Sequence, residues 1–198
     1  MDFPEQLTIS RASLRSLIEK NIKARGKYEE ILETIKELDT FTASKQTTKP
    51  YRHIIGEFNG YVRRLGENLQ NLAEKLEEVS TLPTFDNKKH IYISETVANY
   101  LNSNIFHLHY AFNTKTTKVK KKSAGRFPQL VNDVTNKITI KNISEEERRK
   151  VNNWNQKLLN LTEEIRSIYG ESQEEFLPVL EQIRARNIAR REGTYNRV

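Results

Sequence analysis

The chain has 198 residues, of which 36% are hydrophobic and 30% charged, a ratio that favours elongated helices with much surface per unit of core. It contains no cysteine, which excludes a disulfide framework, a cysteine–zinc site and a thiol nucleophile, while only seven glycines and five prolines disfavour a turn-rich β-sandwich. The formal net charge is +7, so a partner that carries negative charge is favoured.

The N-terminal part is predicted to form two long helices. Apolar residues recur at helical spacing from 10 to 43, with Ser10 or Ser13 as the N-cap. A polar turn over 42–50 follows, and from 51 to 79 the apolar residues are separated alternately by four and three positions, as in a coiled coil. This second set is Tyr51, Ile55, Phe58, Val62, Leu65, Leu69, Leu72, Leu76 and Val79. The short turn predicts that the two helices pack as an antiparallel hairpin.

Glycines interrupt the second predicted helix, although each glycine costs a helix interior about 1 kcal/mol. Gly56 and Gly60 lie one turn apart. Either they allow another backbone to approach closely, or they are tolerated on a solvent-exposed face, and the sequence favours neither interpretation.

The region from 83 to 143 has a mixed pattern. The segment HIYI is predicted to be a short strand, and Ser94 is predicted to cap a helix that begins after it. Apolar residues then alternate over 106–112, which predicts a strand, with a continued helix as the alternative, and 136–141 alternates in the same way. The two strands would flank the intervening basic residues and place them at a hairpin tip or on an extended arm.

The C-terminal part is predicted to be helical again. Ser144 and Glu147 form the pattern of a capping box, and apolar residues follow in another a/d series. This series is Val151, Trp154, Leu158, Leu161, Ile165 and Ile168. Gly170 is predicted to end this helix, and a last helix, with Phe176, Leu177, Leu180 and Ile183 on its apolar face, is predicted to begin or kink at Pro178.

The clearest functional signal is the segment 96–132, which carries six basic residues and no acid. The six are Lys115, Lys118, Lys120, Lys121, Lys122 and Arg126. Lysine and arginine contact phosphates, and the neighbouring Phe127 is a candidate for stacking on a base. The pattern predicts an anion-binding arm over 115–128, with nucleic acid as the favoured partner and an acidic protein or an anionic lipid surface as alternatives.

A second basic cluster lies in the last fifteen residues, 184–198, which carry a formal charge of +4. Its candidate phosphate-binding residues are Arg184, Arg186, Arg190 and Arg191. The alternative is that they complement the negative end of the helix dipole, which explains one or two arginines at most. Without the two basic segments, the rest of the chain has a charge of −3.

No catalytic or metal-binding motif is recognisable. His107 and His109 would share one face of a strand, but neither a cysteine nor a nearby acid supplies a third ligand, so we expect a solvent-facing pair without metal. The sequence contains no glycine-rich phosphate loop, no G-x-S-x-G elbow and no H-E-x-x-H. We therefore expect no enzyme activity, no catalytic residues and no cofactor.

Together these patterns predict a mainly α fold: long antiparallel coiled-coil-like helices with a small mixed α/β insertion. The expected divisions are 1–82, an N-terminal helical hairpin; 83–143, the mixed insertion with the basic arm; and 144–198, C-terminal helices with an arginine-rich tail. The N-terminus lacks the apolar core of a secretory signal, and no apolar run is long enough to span a membrane. An intracellular location or one within a virus particle is expected.

The predicted function is that of a non-enzymatic structural subunit of a nucleoprotein assembly, such as a virion or a ribonucleoprotein particle. The helices would contact other protein subunits, of the same or a different kind, and the basic arm would contact DNA, RNA or an acidic neighbour. The alternative is a coiled-coil adaptor that joins proteins and binds no nucleic acid.

Overall fold

The computed structural model describes residues 7–47, 51–113, 126–137 and 140–193, and these are mainly helical, as the sequence predicts. The helices are α1 (Arg11–Ala43), α2 (Tyr51–Ser80), α3 (Glu95–Ala111), α4 (Arg126–Lys137) and α5 (Glu145–Arg191). The strands are β1 (Leu7–Ser10), β2 (Gln46–Thr47), β3 (Thr84–Phe85), β4 (His90–Ile93) and β5 (Ile140–Lys141).

The helices pack as a four-helix bundle in which one position is shared by two helices. α1 packs against α2 and α5, while α3 and α4 each pack against the same two helices. At 1.5 Å per residue, the 30 residues of α2 span roughly 45 Å, and the 17 and 12 residues of α3 and α4 together span about the same length. α3 and α4 therefore lie one after the other along the bundle and together take the place of a single helix, which is interrupted between them.

Side-chain caps begin three of the helices. The hydroxyl of Ser10 accepts a hydrogen bond from the Ser13 N–H at 3.0 Å, and that of Ser94 accepts one from the Val97 N–H at 3.1 Å. Ser144 begins α5 with the complete capping box that the sequence predicts. Each cap satisfies a backbone donor that the first helical turn leaves without an intrahelical partner.

The predicted a/d seams form the core of the bundle. In α2, all eight seam side chains that the structure describes, from Ile55 to Val79, are buried. A polar contact crosses this core: the Tyr169 hydroxyl of α5 donates to Asn21 Oδ1 of α1 at 2.7 Å, and Asn21 Nδ2 donates to the Leu69 carbonyl of α2 at 3.5 Å. Asn21, which interrupts the apolar stripe of α1, therefore connects three helices, and its polar atoms are satisfied within the core.

A small antiparallel sheet closes one end of the bundle. Its order is β1–β4–β3, with Leu7 opposite Ile93 and Ile9 opposite Ile91. The HIYI strand is thus confirmed as β4, whereas the strand β1 was not predicted. Gln182 of α5 holds β1 in place, because its side chain accepts from the Thr8 N–H at 2.9 Å and donates to the Thr8 carbonyl at 2.8 Å.

The prediction of a strand over 106–112 is wrong, because 106–111 belong to the second half of α3 and Phe112 is the C-cap of this helix. Leu108 and Phe112 are buried, while Phe106 and Tyr110 are exposed. Leu108 and Phe112 continue the helical spacing of the apolar residues that begins at Leu101, and their burial favours a helix. The two asparagines and the serine that follow Leu101 each destabilise a helix by less than about 1 kcal/mol. The continued helix, which the sequence left open as the alternative, is the correct one.

The second predicted strand, 136–141, is wrong at its first two residues and confirmed at its last two, while 138–139 lie outside the described residues. α4 continues to Lys137, and Ile140–Lys141 form a short strand. This short strand, β5, pairs with β2 rather than with residues 106–112. The basic residues are therefore flanked by two helices and not by a hairpin.

The C-terminal helix does not end at Gly170 or begin at Pro178, because α5 runs without a break through both. The apolar series continues across them with buried Tyr169, Phe176 and Val179. Burial of these side chains outweighs the roughly 1 kcal/mol that glycine costs and the roughly 3 kcal/mol that proline costs. Leu177, predicted to lie on the apolar face, is instead exposed.

Of the three glycines in α2, it is Gly66 that permits a close approach, and not the pair Gly56 and Gly60. A Cβ at Gly56 or Gly60 would meet no described atom within 4 Å, whereas one at Gly66 would lie 3.0 Å from the hydroxyl of Tyr28. That hydroxyl donates to the Val62 carbonyl, and burial raises the pKa of Tyr28 to about 12, so it stays protonated. Gly66 leaves room for the Tyr28 ring between α1 and α2.

Alanine substitutions at these positions are expected to have opposite effects. Gly60→Ala should raise the free energy of unfolding by about 1 kcal/mol, since alanine is the better helix former. Gly66→Ala should lower it, because the new methyl group displaces the buried Tyr28 phenol from its hydrogen bond. Urea denaturation of both variants measures the difference, and equal stabilisation by both would contradict this role of Gly66.

Candidate nucleic-acid interface

Aromatic packing holds the residues on either side of the arm's lysines, Phe112 and Phe127, at one place on the bundle. Phe112 ends α3 and Phe127 lies in the first turn of α4, with their ring centroids 4.9 Å apart. The Phe127 ring also lies 5.5 Å from that of Phe58 on α2, and all three phenylalanines are fully buried. This three-ring cluster joins α2, α3 and α4.

The predicted lysine ligands of the arm lie outside the described residues, and so does the side chain of Arg126. These lysines are Lys115, Lys118, Lys120, Lys121 and Lys122. The prediction that Phe127 stacks on a base is wrong, because its ring is buried in the three-ring cluster. Its role is to hold the C-terminal end of the arm.

Two of the C-terminal arginines are held by an acid. Arg186 Nη1 lies 3.6 Å and Arg190 Nη2 3.4 Å from Glu95 Oε2. Glu95 is the first residue of α3, where a negative charge is also favoured by the helix dipole. Arg186 and Arg190 thus connect the end of α5 to the start of α3, which is a structural role that the sequence did not indicate.

The other two predicted arginines face a different direction. Arg184 and Arg191 are seven residues apart, hence on the same side of α5, and both are exposed. Neither forms an ion pair with the part of the chain that the structure describes. The four arginines therefore do not form one surface, and only Arg184 and Arg191 have guanidinium groups directed to solvent without an acidic partner among the described residues.

An exposed aromatic face on α3 lies next to the three-ring cluster. Phe106 is 53% and Tyr110 45% exposed, and their rings lie nearly parallel, with 15° between the planes and 6.4 Å between the centroids. His107 is exposed beside Phe106, with ring centroids 6.1 Å apart. Sequence reasoning missed this face, because the strand prediction placed Phe106 and Tyr110 on the same side as the buried Leu108.

The two histidines of α3 do not form a pair. On a helix, residues two positions apart point about 200° away from each other, so the prediction that His107 and His109 share a face is wrong. His109 turns towards α5, where burial, and next the charge of Arg166, lower the pKa of its imidazole. Within the described ranges no cluster of three or more potential metal ligands occurs.

A second group of basic and aromatic side chains lies where α1 ends and α5 begins. Trp154 Nε1 donates to Glu37 at 2.8 Å, and Lys150 Nζ lies 5.5 Å from the centre of the Trp154 ring. Lys45 forms an ion pair with Glu147 at 2.7 Å, and this lysine lowers the pKa of the Glu147 carboxyl. Because acids are interleaved with the lysines, this group has the character of a structural contact between helices and not of a phosphate site.

The fold and the candidate site together define an antiparallel four-helix bundle whose third helix is interrupted by a basic segment. Comparison of the chain with protein-family models, with curated proteins and with solved structures found no match.

Among the described residues, none of the helices combines the length and the apolar character that crossing a bilayer requires.

Proposed function

We propose that the protein is a non-enzymatic structural subunit of a nucleoprotein assembly, and that its basic arm binds nucleic acid. The observation that carries this proposal is the attachment of the acid-free basic segment to one point of the bundle, through Phe112 and Phe127. Phe112 and Phe127 flank the lysines in the sequence and meet at one place on the bundle, so we propose that the nucleic acid binds beside that place. Phosphates of a polyanion placed there meet several cations at once.

The charge distribution supports the same partner. Residues 96–132 contain six basic residues and no acid, and Arg184 and Arg191 add two exposed guanidinium groups. Lysine and arginine that neutralise phosphates release condensed counterions, so such a segment contributes affinity without reading sequence. We therefore expect binding that depends on ionic strength and little on nucleotide sequence.

Exposed apolar side chains on the long helices support contacts with other protein subunits. Ile22 on α1 is 62% and Ile188 on α5 54% exposed. This observation also fits the alternative function, a helical adaptor that joins proteins and binds no nucleic acid. The two functions differ in their response to salt, because phosphate contacts weaken steeply with ionic strength while apolar contacts do not.

The replacement of Lys120, Lys121 and Lys122 by glutamate tests the proposal. Binding to any nucleic-acid sequence is expected to weaken by a similar factor. For duplex DNA, the slope of log affinity against log salt should shrink by about 0.9 for each phosphate that the variant no longer neutralises. Fluorescence anisotropy at several salt concentrations measures the affinity and the slope.

The matched control makes the same change of charge on the outside of the bundle, at Lys23, Lys36 and Lys157, which are exposed on α1 and α5. We expect the control triple variant to keep most of the affinity and the whole salt slope of the unmodified protein. Equal weakening in both triple variants would indicate a response to net charge alone. Unchanged affinity in the Lys120–Lys122 variant would remove the arm from the interface and favour the adaptor.

A further inference from the structure

The outer face of α3, formed by Phe106, His107 and Tyr110, has no structural role within the described part of the chain. Phe106 and Tyr110 expose about half of their surface, although aromatic rings of this size are usually buried in a soluble helix bundle. Neighbouring positions on the same helix, such as Leu108, show that α3 buries apolar side chains where it packs. The outer face is thus available to a ligand.

The acids and bases of α3 do not oppose an anionic ligand at the outer face. Its one acid is Glu95, which is held by Arg186 and Arg190 at the far end of the helix. From Thr96 to the end of the helix no acid occurs, so no carboxylate of α3 repels a phosphate near the outer face.

Covalent connection places the outer face next to the basic arm. Tyr110 precedes Lys115 by five residues, so their Cα atoms lie within about 18 Å of each other whatever path the chain takes. Tyr110 also lies only two residues before Phe112, the residue that holds the arm to the bundle. Lysines and aromatic rings are therefore close enough to contact one strand of nucleic acid together.

From this juxtaposition, which rests on the proposed function above, we propose that the protein binds single-stranded nucleic acid, with unpaired bases stacked on Phe106 and Tyr110 and phosphates held by the basic arm. Single-strand-binding proteins combine cations along the backbone with aromatic rings for the bases, and this stacking tolerates any sequence. In a duplex the bases are already stacked and paired, so the two rings contribute nothing to duplex binding.

The test compares an oligouridine strand with a duplex of the same length. In the double variant Phe106→Ala/Tyr110→Ala, the affinity for oligouridine is expected to fall at least about tenfold, as stacking on each base contributes a factor of that order. The salt slope and the duplex affinity should stay unchanged, because no cation is removed. The conservative variant Phe106→Tyr/Tyr110→Phe should keep the affinity, since both rings remain.

Leu177→Ala is the matched control for removal of an exposed apolar side chain, because Leu177 is 43% exposed on α5; it should bind like the unmodified protein. If the unmodified protein binds neither probe, the proposed function fails and this inference with it. If it binds with a lysine-dependent salt slope but the double alanine variant binds oligouridine equally well, only the inference is overturned. A double variant that changes the oligomeric state at unchanged affinity would also overturn it, and would assign the face to contact between copies of the chain.

Discussion

Replacement of Leu69 by aspartate is expected to destabilise the bundle by about 5 kcal/mol, a large part of the stability of a typical domain. Leu69 is 1% exposed, and its carbonyl accepts the hydrogen bond from Asn21 at the centre of the bundle. The substitution removes packed methyl groups and buries a carboxylate without a cationic partner. Urea denaturation followed by circular dichroism gives the change in the free energy of unfolding.

The control places the same carboxylate one residue away. Asn68 is exposed on α2, so Asn68→Asp should change the free energy of unfolding by less than about 0.5 kcal/mol. Burial disfavours the charged form and raises the carboxyl pKa in the folded Leu69→Asp variant above the unfolded value of about 3.9. The penalty should therefore shrink as the pH falls from that raised pKa to about 4, and stay constant below it. Equal stability of the two variants would contradict the packing of α2 in the core.

Phe127→Ala is expected to have the second largest effect, a decrease of about 3–5 kcal/mol in the free energy of unfolding. Phe127 is fully buried between Phe58 and Phe112, so its removal leaves a cavity where α2, α3 and α4 meet. For a chain of this size the melting temperature should fall by roughly 10 °C. Differential scanning calorimetry measures the shift.

Phe106→Ala is the matched control, because it removes the same side chain from an exposed position of the same region. Its melting temperature should stay within about 2 °C of that of the unmodified protein, while its affinity for single-stranded nucleic acid should fall. The two phenylalanines thus separate a structural role from a binding role. A destabilised Phe106→Ala variant, or an unchanged Phe127→Ala variant, would contradict this assignment.

The sequence leaves the secondary structure ambiguous in segments whose apolar residues fit both the period of a strand and the period of a helix. Between 106 and 112, alternate residues are apolar, yet Leu108 and Phe112 are also one helical turn apart. Local pattern does not decide between a strand and a helix in such a short segment. The decision comes from the packing of α3 against α2 and α5, which buries one helical face along its whole length.

The sequence by itself determined the features that depend on neighbours in the chain. The caps at Ser94 and Ser144, and one at Ser10 or Ser13, follow from a hydroxyl that reaches a backbone N–H three residues ahead, and the seam of α2 follows from the helical period. These interactions have short range, so the residue types and their spacing suffice to predict them. The acid-free character of residues 96–132 is likewise a property of the sequence alone.

Only the tertiary structure decided which residues of the candidate site are available and which are held in the bundle. Phe127 is buried because Phe58 and Phe112 meet it, and Arg186 and Arg190 are held because Glu95, some 90 residues earlier in the chain, begins α3 beside them. Burial across α5 likewise overrides the local preferences of Gly170 and Pro178. The physical reason is the same in each case: the deciding energy comes from contacts between segments far apart in the chain, and spacing along the sequence contains no information about which segments meet.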